Sequence, residues 1–157
     1  MRSYMEENKP DIYPMILFPT FEVRDIEASV DWYTRILNFS LIFGMKDDQH
    51  GTRLAHVRRL KHQDILLVAR TDSMPDDPAG MGRGVTITCA FADEPGDHIS
   101  ALDAFAARIA HAGAVILEGP MDRPWNTRDV VVRDPDGYRL AFTTPDFARM
   151  RDFGSTL

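Results

Sequence analysis

The sequence predicts an α+β protein made of two βαβββ modules whose curved mixed sheets surround a cleft. Three observations predict it. A strand, an amphipathic helix and three further strands occur in that order twice, about 70 residues apart. Each half has a single helix, which covers only one face of its sheet, so the other face needs a partner. The stretch RDPDGYRLAF, Arg133 to Phe142, reads as strand, tight turn and strand, because Pro135 presets one turn dihedral and Gly137 accepts the positive one.

Residues 1–14 read as an N-terminal arm outside the repeat. The first module spans 15–70. Met15 to Val23, rich in Phe, Ile and Val, has strand composition and is followed by Asp25, a good helix N-cap. Ile26, Val30, Tyr33, Ile36 and Leu37 recur at helical spacing and predict a helix over Ile26 to Leu37, with Asn38 as a left-handed exit. Three strands follow, Ser40 to Met45, Arg53 to Leu60 and Asp64 to Arg70, the last two joined by Lys61-His62-Gln63. A connector rich in Pro, Gly and Asp occupies 71–84.

The second module spans 85–145. Val85 to Phe91 is its first strand, and Ile99 to Ala112 its helix, with an apolar face that includes Leu102, Phe105 and Ile109 and with Gly113 past its end. Val115 to Leu117, Arg128 to Arg133 and Tyr138 to Thr143 complete it. The tail, 146–157, lies outside the repeat and is expected to be an arm or a disordered end.

At 157 residues and 44% hydrophobic composition the chain can bury one core or two small fused ones. No apolar run reaches the ~20 residues of a membrane span, and MRSYMEENKPDIYP lacks the features of a secretion signal, so a cytoplasmic location is expected. A formal charge of −6 argues against nucleic-acid binding and mildly favours a cationic ligand. The basic run Arg58 to Lys61 is expected to cap a hairpin in solvent. Cys89, within VTITCAF, reads as a small buried hydrophobe.

The segments VRDIEASVDWYTRILNF and PWNTRDVVVRDPDGYRLAF, set in this element order, resemble the vicinal oxygen chelate superfamily. That superfamily includes glyoxalase I, extradiol dioxygenases, fosfomycin-modifying enzymes and bleomycin resistance proteins. The likeness covers Met15 to Asp146 and implies a glyoxalase-like fold. In metal-dependent members, ligands sit on the first and last strand of each half; the matching positions here are Phe18, Leu67, Thr86 and Ala141. Phe, Leu and Ala have no donor atom, and a lone Thr hydroxyl is a poor ligand for a divalent ion, so neither a metal nor another cofactor is expected. His50, His56, His62, His98 and His111 show no helical zinc spacing, and no nucleophile elbow or phosphate-binding glycine loop occurs.

Within the superfamily the resemblance is to the bleomycin resistance group, which binds drugs without transforming them. It rests on LNFSLIF (Leu37 to Phe43), SMPDDP (Ser73 to Pro78) and RPWN (Arg123 to Asn126). Carried over by position, Phe39, Phe43 and Trp125 are the ligand-contacting aromatics, and planar rings on a cleft wall can sandwich a flat heteroaromatic guest. Strand alternation adds Thr20 and Glu22 beside Phe18, Thr88 beside Thr86, and Arg139 and Thr143 beside Ala141. Glu22 is read as partner to a cationic ligand group or to Arg139. Asn38 and Asn126 depart from the group's usual glycines, which widens the ligand from bleomycin to an enediyne, a quinone or a peptide antibiotic. The expected protein is a homodimer, without nucleic-acid or membrane partners, that confers resistance by sequestering an antibiotic or other flat aromatic natural product. The alternatives are a superfamily lyase, isomerase or oxygenase with a non-standard or cofactor-independent site using Glu22, His56 or Arg139, and a structural or regulatory interaction protein.

Overall fold

The computed structural model describes residues 10–71, 77 and 80–153. Its first half is β1 (Thr20–Val23), α1 (Ile26–Arg35), β2 (Ser40–Asp47), β3 (Gly51–Arg58) and β4 (Asp64–Ala69). The second is β5 (Ile87–Ala90), α2 (Ile99–His111), β6 (Val115–Asp122), β7 (Thr127–Arg133) and β8 (Arg139–Pro145), followed by a short α3 (Phe147–Phe153). Two four-stranded sheets result, ordered β1-β4-β3-β2 and β5-β8-β7-β6. In each, the first pair is parallel and the others antiparallel, so both sheets are mixed, as the sequence predicts.

Local chemistry explains the boundaries. Asp25 caps α1, its Oδ1 accepting from the Ala28 backbone N–H at 2.9 Å, and Asn38 leaves the helix at φ 61°. The paired part of the first strand is shorter than expected. Met15 to Phe18 runs into β1 outside the ladder; Pro14 and Pro19 have no N–H to give to it, and Pro19 joins only through its carbonyl, which accepts from Leu66 N at 3.1 Å. The tail also departs from expectation: Phe147–Phe153 is helical, with Asp146 Oδ1 accepting from Arg149 N at 3.1 Å. The SMPDDP segment lies outside the described residues apart from Asp77, as do the outermost residues of both chain ends.

One apolar core spans both halves on the helix side of the sheets. Val23, Tyr33, Leu37, Val57 and Leu67 meet Leu102, Ile109, Val130, Leu140 and Phe142 in it. The β7–β8 turn of the second module joins β1 of the first. Phe21 stacks on Tyr138 with centroids 4.0 Å apart, and the Arg24 guanidinium pairs with Asp136 at 3.0 Å. The connector crosses this tip so closely at Gly82 that any Cβ would collide with Gly137 O.

Arg59 overturns the expectation that the basic run sits in solvent. Its guanidinium lies 5.2, 5.7 and 5.1 Å from the rings of Phe91, Phe105 and Phe142 and donates to the carbonyls of Ala90 and Phe91. The run is a clasp between the modules, held by cation–π contact and carbonyl acceptors that lie far from it in sequence.

In the same β7–β8 turn Asp134 is buried beneath α1. Tyr33 OH donates to its Oδ2 at 2.8 Å, and the backbone N–H groups of Asp136 and Tyr138 donate to its Oδ1. Burial pushes the Asp134 carboxyl up to about 6, against the lowering effect of those hydrogen bonds. The folded protein therefore keeps a proton that the unfolded chain releases, and Asp134 makes stability fall as pH rises from about 4 to above 6. The expected amplitude is about 3 kcal/mol, and urea melts across that window should show it in the parent protein and a flattened profile in Asp134→Asn.

Candidate ligand-binding site

Alternation sets which side chains leave the core. Phe21, Val23, Leu67, Leu140 and Phe142 point under the helices, so their neighbours occupy the opposite, helix-free faces. On the first sheet the paired residues of that face are Thr20 with Leu66, Glu22 with Val68, His56 with Phe43 and Leu54 with Met45. On the second they are Thr88 with Ala141, Asp129 with Thr143, and Arg133 with Arg139. The expected parity of Thr20, Glu22, Thr88, Arg139 and Thr143 agrees with this. Leu67 does not: as register partner of Phe21 it lies in the core, and Leu66 and Val68 take the outward positions on β4.

The aromatics separate into two kinds. Phe39 is 4% exposed and packs edge-on against Tyr33, so it is a core ring, with one side reaching a cavity described below. Phe43 and Trp125 are 55% and 63% exposed. Phe43 lies on β2 and Trp125 in the turn between β6 and β7, and β2 and β6 are the strands furthest from the module junction. Met45 on β2 and Met121 on β6 are exposed as well. Among the described residues the ring of Trp125 is contacted by the Arg123 guanidinium, 5.9 Å from its centroid, and no ring pair joins it to Phe43.

Two buried carboxylates, both missed in the sequence, brace these faces. Asp64 is 3% exposed and accepts from Tyr13 OH at 2.6 Å, His56 Nε2 at 2.6 Å and Arg58 Nε at 2.7 Å. Burial alone would raise its pKa, but these donors outweigh it and hold the carboxyl below its usual range. Tyr13 also accepts from His62 N at 2.7 Å and lies under the Arg58 guanidinium, which ties the chain before β1 to the sheet. Asp129 accepts from Thr143 Oγ1 at 2.6 Å, Thr127 Oγ1 at 2.8 Å and Arg123 Nε at 3.2 Å, while Arg123 Nη2 donates to Glu118 at 2.6 Å. The hydroxyl of Thr143 is thus committed to the scaffold. Glu22 accepts from Thr71 Oγ1 at 3.4 Å and makes no ion pair with Arg139 among the described residues.

A cavity of about 520 Å³ opens at the junction, beneath the Met15–Pro19 segment, lined by Phe18, Phe39, Ile65, Ile87, Thr88 and Cys89 among others. Its size suits a small organic molecule and its lining is mainly apolar. Burial pushes the Cys89 thiol up to about 11, with the Arg59 charge opposing, so it is a poor nucleophile here. His56, the other reactive candidate, is held by Asp64.

The residues do not fit a divalent ion at the position where metal-dependent relatives of this fold hold one. Phe18, Leu66, Leu67, Val68 and Ala141 offer no donor atom, and the hydroxyls of Thr86 and Thr88 are neutral. No three of His, Cys, Asp and Glu gather into a metal-binding group among the described residues. No helix among them is long and apolar enough to cross a membrane.

Comparison with known proteins gives a consistent picture. The pattern of the Glyoxalase/Bleomycin resistance protein/Dioxygenase superfamily matches residues 17–142. TioX from Micromonospora sp. ML1 superposes with a TM-score of 0.60 at 22% identity, covering 81% of this chain and 93% of its own. TnmS3, an antibiotic binding protein from Streptomyces sp. CB03234, gives 0.58 at 26% identity, covering 82% and 93%. A glyoxalase/bleomycin resistance protein from the same Streptomyces strain gives 0.58 at 25%, covering 81% and 97%. No curated protein matches the chain.

Proposed function

The chain belongs to the Glyoxalase/Bleomycin resistance protein/Dioxygenase superfamily, and from that premise we propose that it binds a flat antibiotic or related natural product without transforming it. Resistance by sequestration is the physiological role of that binding. The observation that carries the reading is the chemistry of the helix-free faces: donor-poor Phe18, Leu66, Val68 and Ala141 at the family's metal positions, and exposed planar and thioether side chains, Phe43, Met45, Met121 and Trp125, on the outer strands and the β6–β7 turn. The antibiotic-binding relative TnmS3 supports the ligand class.

A homodimer completes the site in this reading. Phe43 lies on the outer strand of one sheet and Trp125 in the turn that follows the outer strand of the other, and a two-fold partner would set its Trp125 against the first chain's Phe43, giving two equivalent sites. Covering these faces would also remove the exposed apolar area that a lone chain presents. SMPDDP, of which Asp77 alone is described, is the inter-half connector in this scheme. The protein acts inside the cell, on small molecules rather than on nucleic acid or membranes.

Sequestration demands tight binding and stoichiometric protein. Titration with quinone, enediyne and peptide antibiotics, followed by mass spectrometry of the recovered ligand, should return an unaltered compound at one per chain. Recovery of a chemically changed compound with turnover would establish an enzyme instead.

A further inference from the structure

Arg133 and Arg139 are direct register partners at the closed end of the β7–β8 hairpin. Their core-side neighbours Val132 and Leu140 are fully buried, so both arginines project from the helix-free face of the second sheet. Both are half-buried. Like charges directly opposite one another destabilise a strand pair, and partial burial deepens the cost. Neither guanidinium has a hydrogen bond or ion pair among the described residues.

Among the described residues, the nearby acids are engaged elsewhere. Asp134 and Asp136, adjacent in sequence, turn to the other side of the hairpin and bind Tyr33, Ser29 and Arg24. Asp129 and Glu118, on the same face, are taken by Arg123, Thr127 and Thr143. Glu22 faces Thr71. Arg139 lines a second cavity of about 270 Å³ with Thr20, Phe21, Val85, Ile87 and Tyr138, drawn from both modules. Among the described residues, a chain of net charge −6 thus keeps two cations without a counter-charge, one of which, Arg139, lines a mainly apolar recess.

We infer that Arg133 and Arg139 form an anion-recognition pair, and that the natural ligand is a flat aromatic compound bearing a carboxylate or an equivalent acidic oxygen group. Guanidinium forks bind such oxygens with charge-assisted hydrogen bonds, and the guest's charge relieves the repulsion between the two arginines. The inference rests on the ligand-binding reading of these faces and reverses the cationic ligand that overall charge favours. It also gives Arg139 a role distinct from an internal partner of Glu22.

The test uses two matched probes, anthraquinone-2-carboxylate and anthraquinone-2-carboxamide, titrated into the full chain. The parent protein should bind the carboxylate about tenfold or more tightly than the carboxamide. Arg139→Gln and Arg133→Gln should each erase that preference by weakening the carboxylate alone, and Arg139→Lys should retain part of it. Equal affinity of the parent for both probes would overturn the anion pair and leave the ligand-binding reading standing. Binding of neither probe would overturn both. If the glutamine variants instead dissociate a dimer in sedimentation, with no probe preference in the parent, the arginines serve a partner carboxylate and the inference falls.

Discussion

Trp125→Ala is expected to weaken binding of a planar ligand roughly 30-fold or more while leaving the melting temperature nearly unchanged. The magnitude follows from two contributions: about 1.5–3 kcal/mol for covering an aromatic side chain and about 0.5–1.5 kcal/mol for ring stacking. The unchanged stability follows from exposure, since at 63% the ring contributes little to the free fold. Phe43→Ala should behave alike, and Trp125→Phe should recover most of the affinity. Isothermal titration with any ligand found by the screen provides the measurement. Full affinity in Trp125→Ala would remove the stacking surface from the mechanism and favour the junction cavity beneath Met15–Pro19.

Asp64→Ala should produce the opposite phenotype, a loss of about 3 kcal/mol in stability. Its carboxylate collects Tyr13, His56 and Arg58, and deleting it leaves a guanidinium 11% exposed with its nearest counter-charge gone. The sign with pH is fixed by direction. Asp64 has its carboxyl depressed by folding, so its contribution is present above the ordinary carboxylate range and disappears as pH falls through it. The deficit of Asp64→Ala relative to the parent should therefore narrow in acid, below about pH 4, when followed by chemical denaturation. Because Tyr13 loses its acceptor too, limited proteolysis should cut the segment before β1 faster in this variant. A variant as stable as the parent would show that the Asp64 cluster is solvated rather than structural.

Asp64 and Asp134 thus pull stability in opposite directions with pH although both are buried. Three side-chain donors converge on Asp64, two of them cationic or able to become so, whereas Asp134 has a phenol and two backbone N–H groups and no cation. Desolvation dominates at Asp134 and lifts its carboxyl, whereas at Asp64 the hydrogen bonds of Tyr13, Arg58 and His56 together outweigh it.

Much of the fold was readable along the chain because its signals are local. The helical spacing of Ile26, Val30 and Tyr33, the Asp25 cap, the Asn38 exit and the Pro135–Gly137 turn each act within a few residues, and each sits where expected. Strand parity was readable wherever alternation was clean, which placed Thr20, Glu22, Thr88, Arg139 and Thr143 on the correct face. It slipped at β4, where Asp64 to Ala69 is apolar on both faces except at its first residue, so Leu66 and Leu67 cannot be told apart by composition.

The amino-acid order by itself therefore determined the two modules, their helices and turns, and the scarcity of metal donors at the family's ligand positions. Tertiary structure alone decided the rest: that Phe39 belongs to the core, that Arg59 clasps the modules, that Thr143 is spent on Asp129, and that Arg133 and Arg139 stand opposite one another without a counter-charge among the described residues. The reason is physical. Helices and turns are set by interactions a few residues apart, whereas burial, ion pairing and charge compensation depend on partners up to about a hundred residues away, which only the packed chain brings within reach.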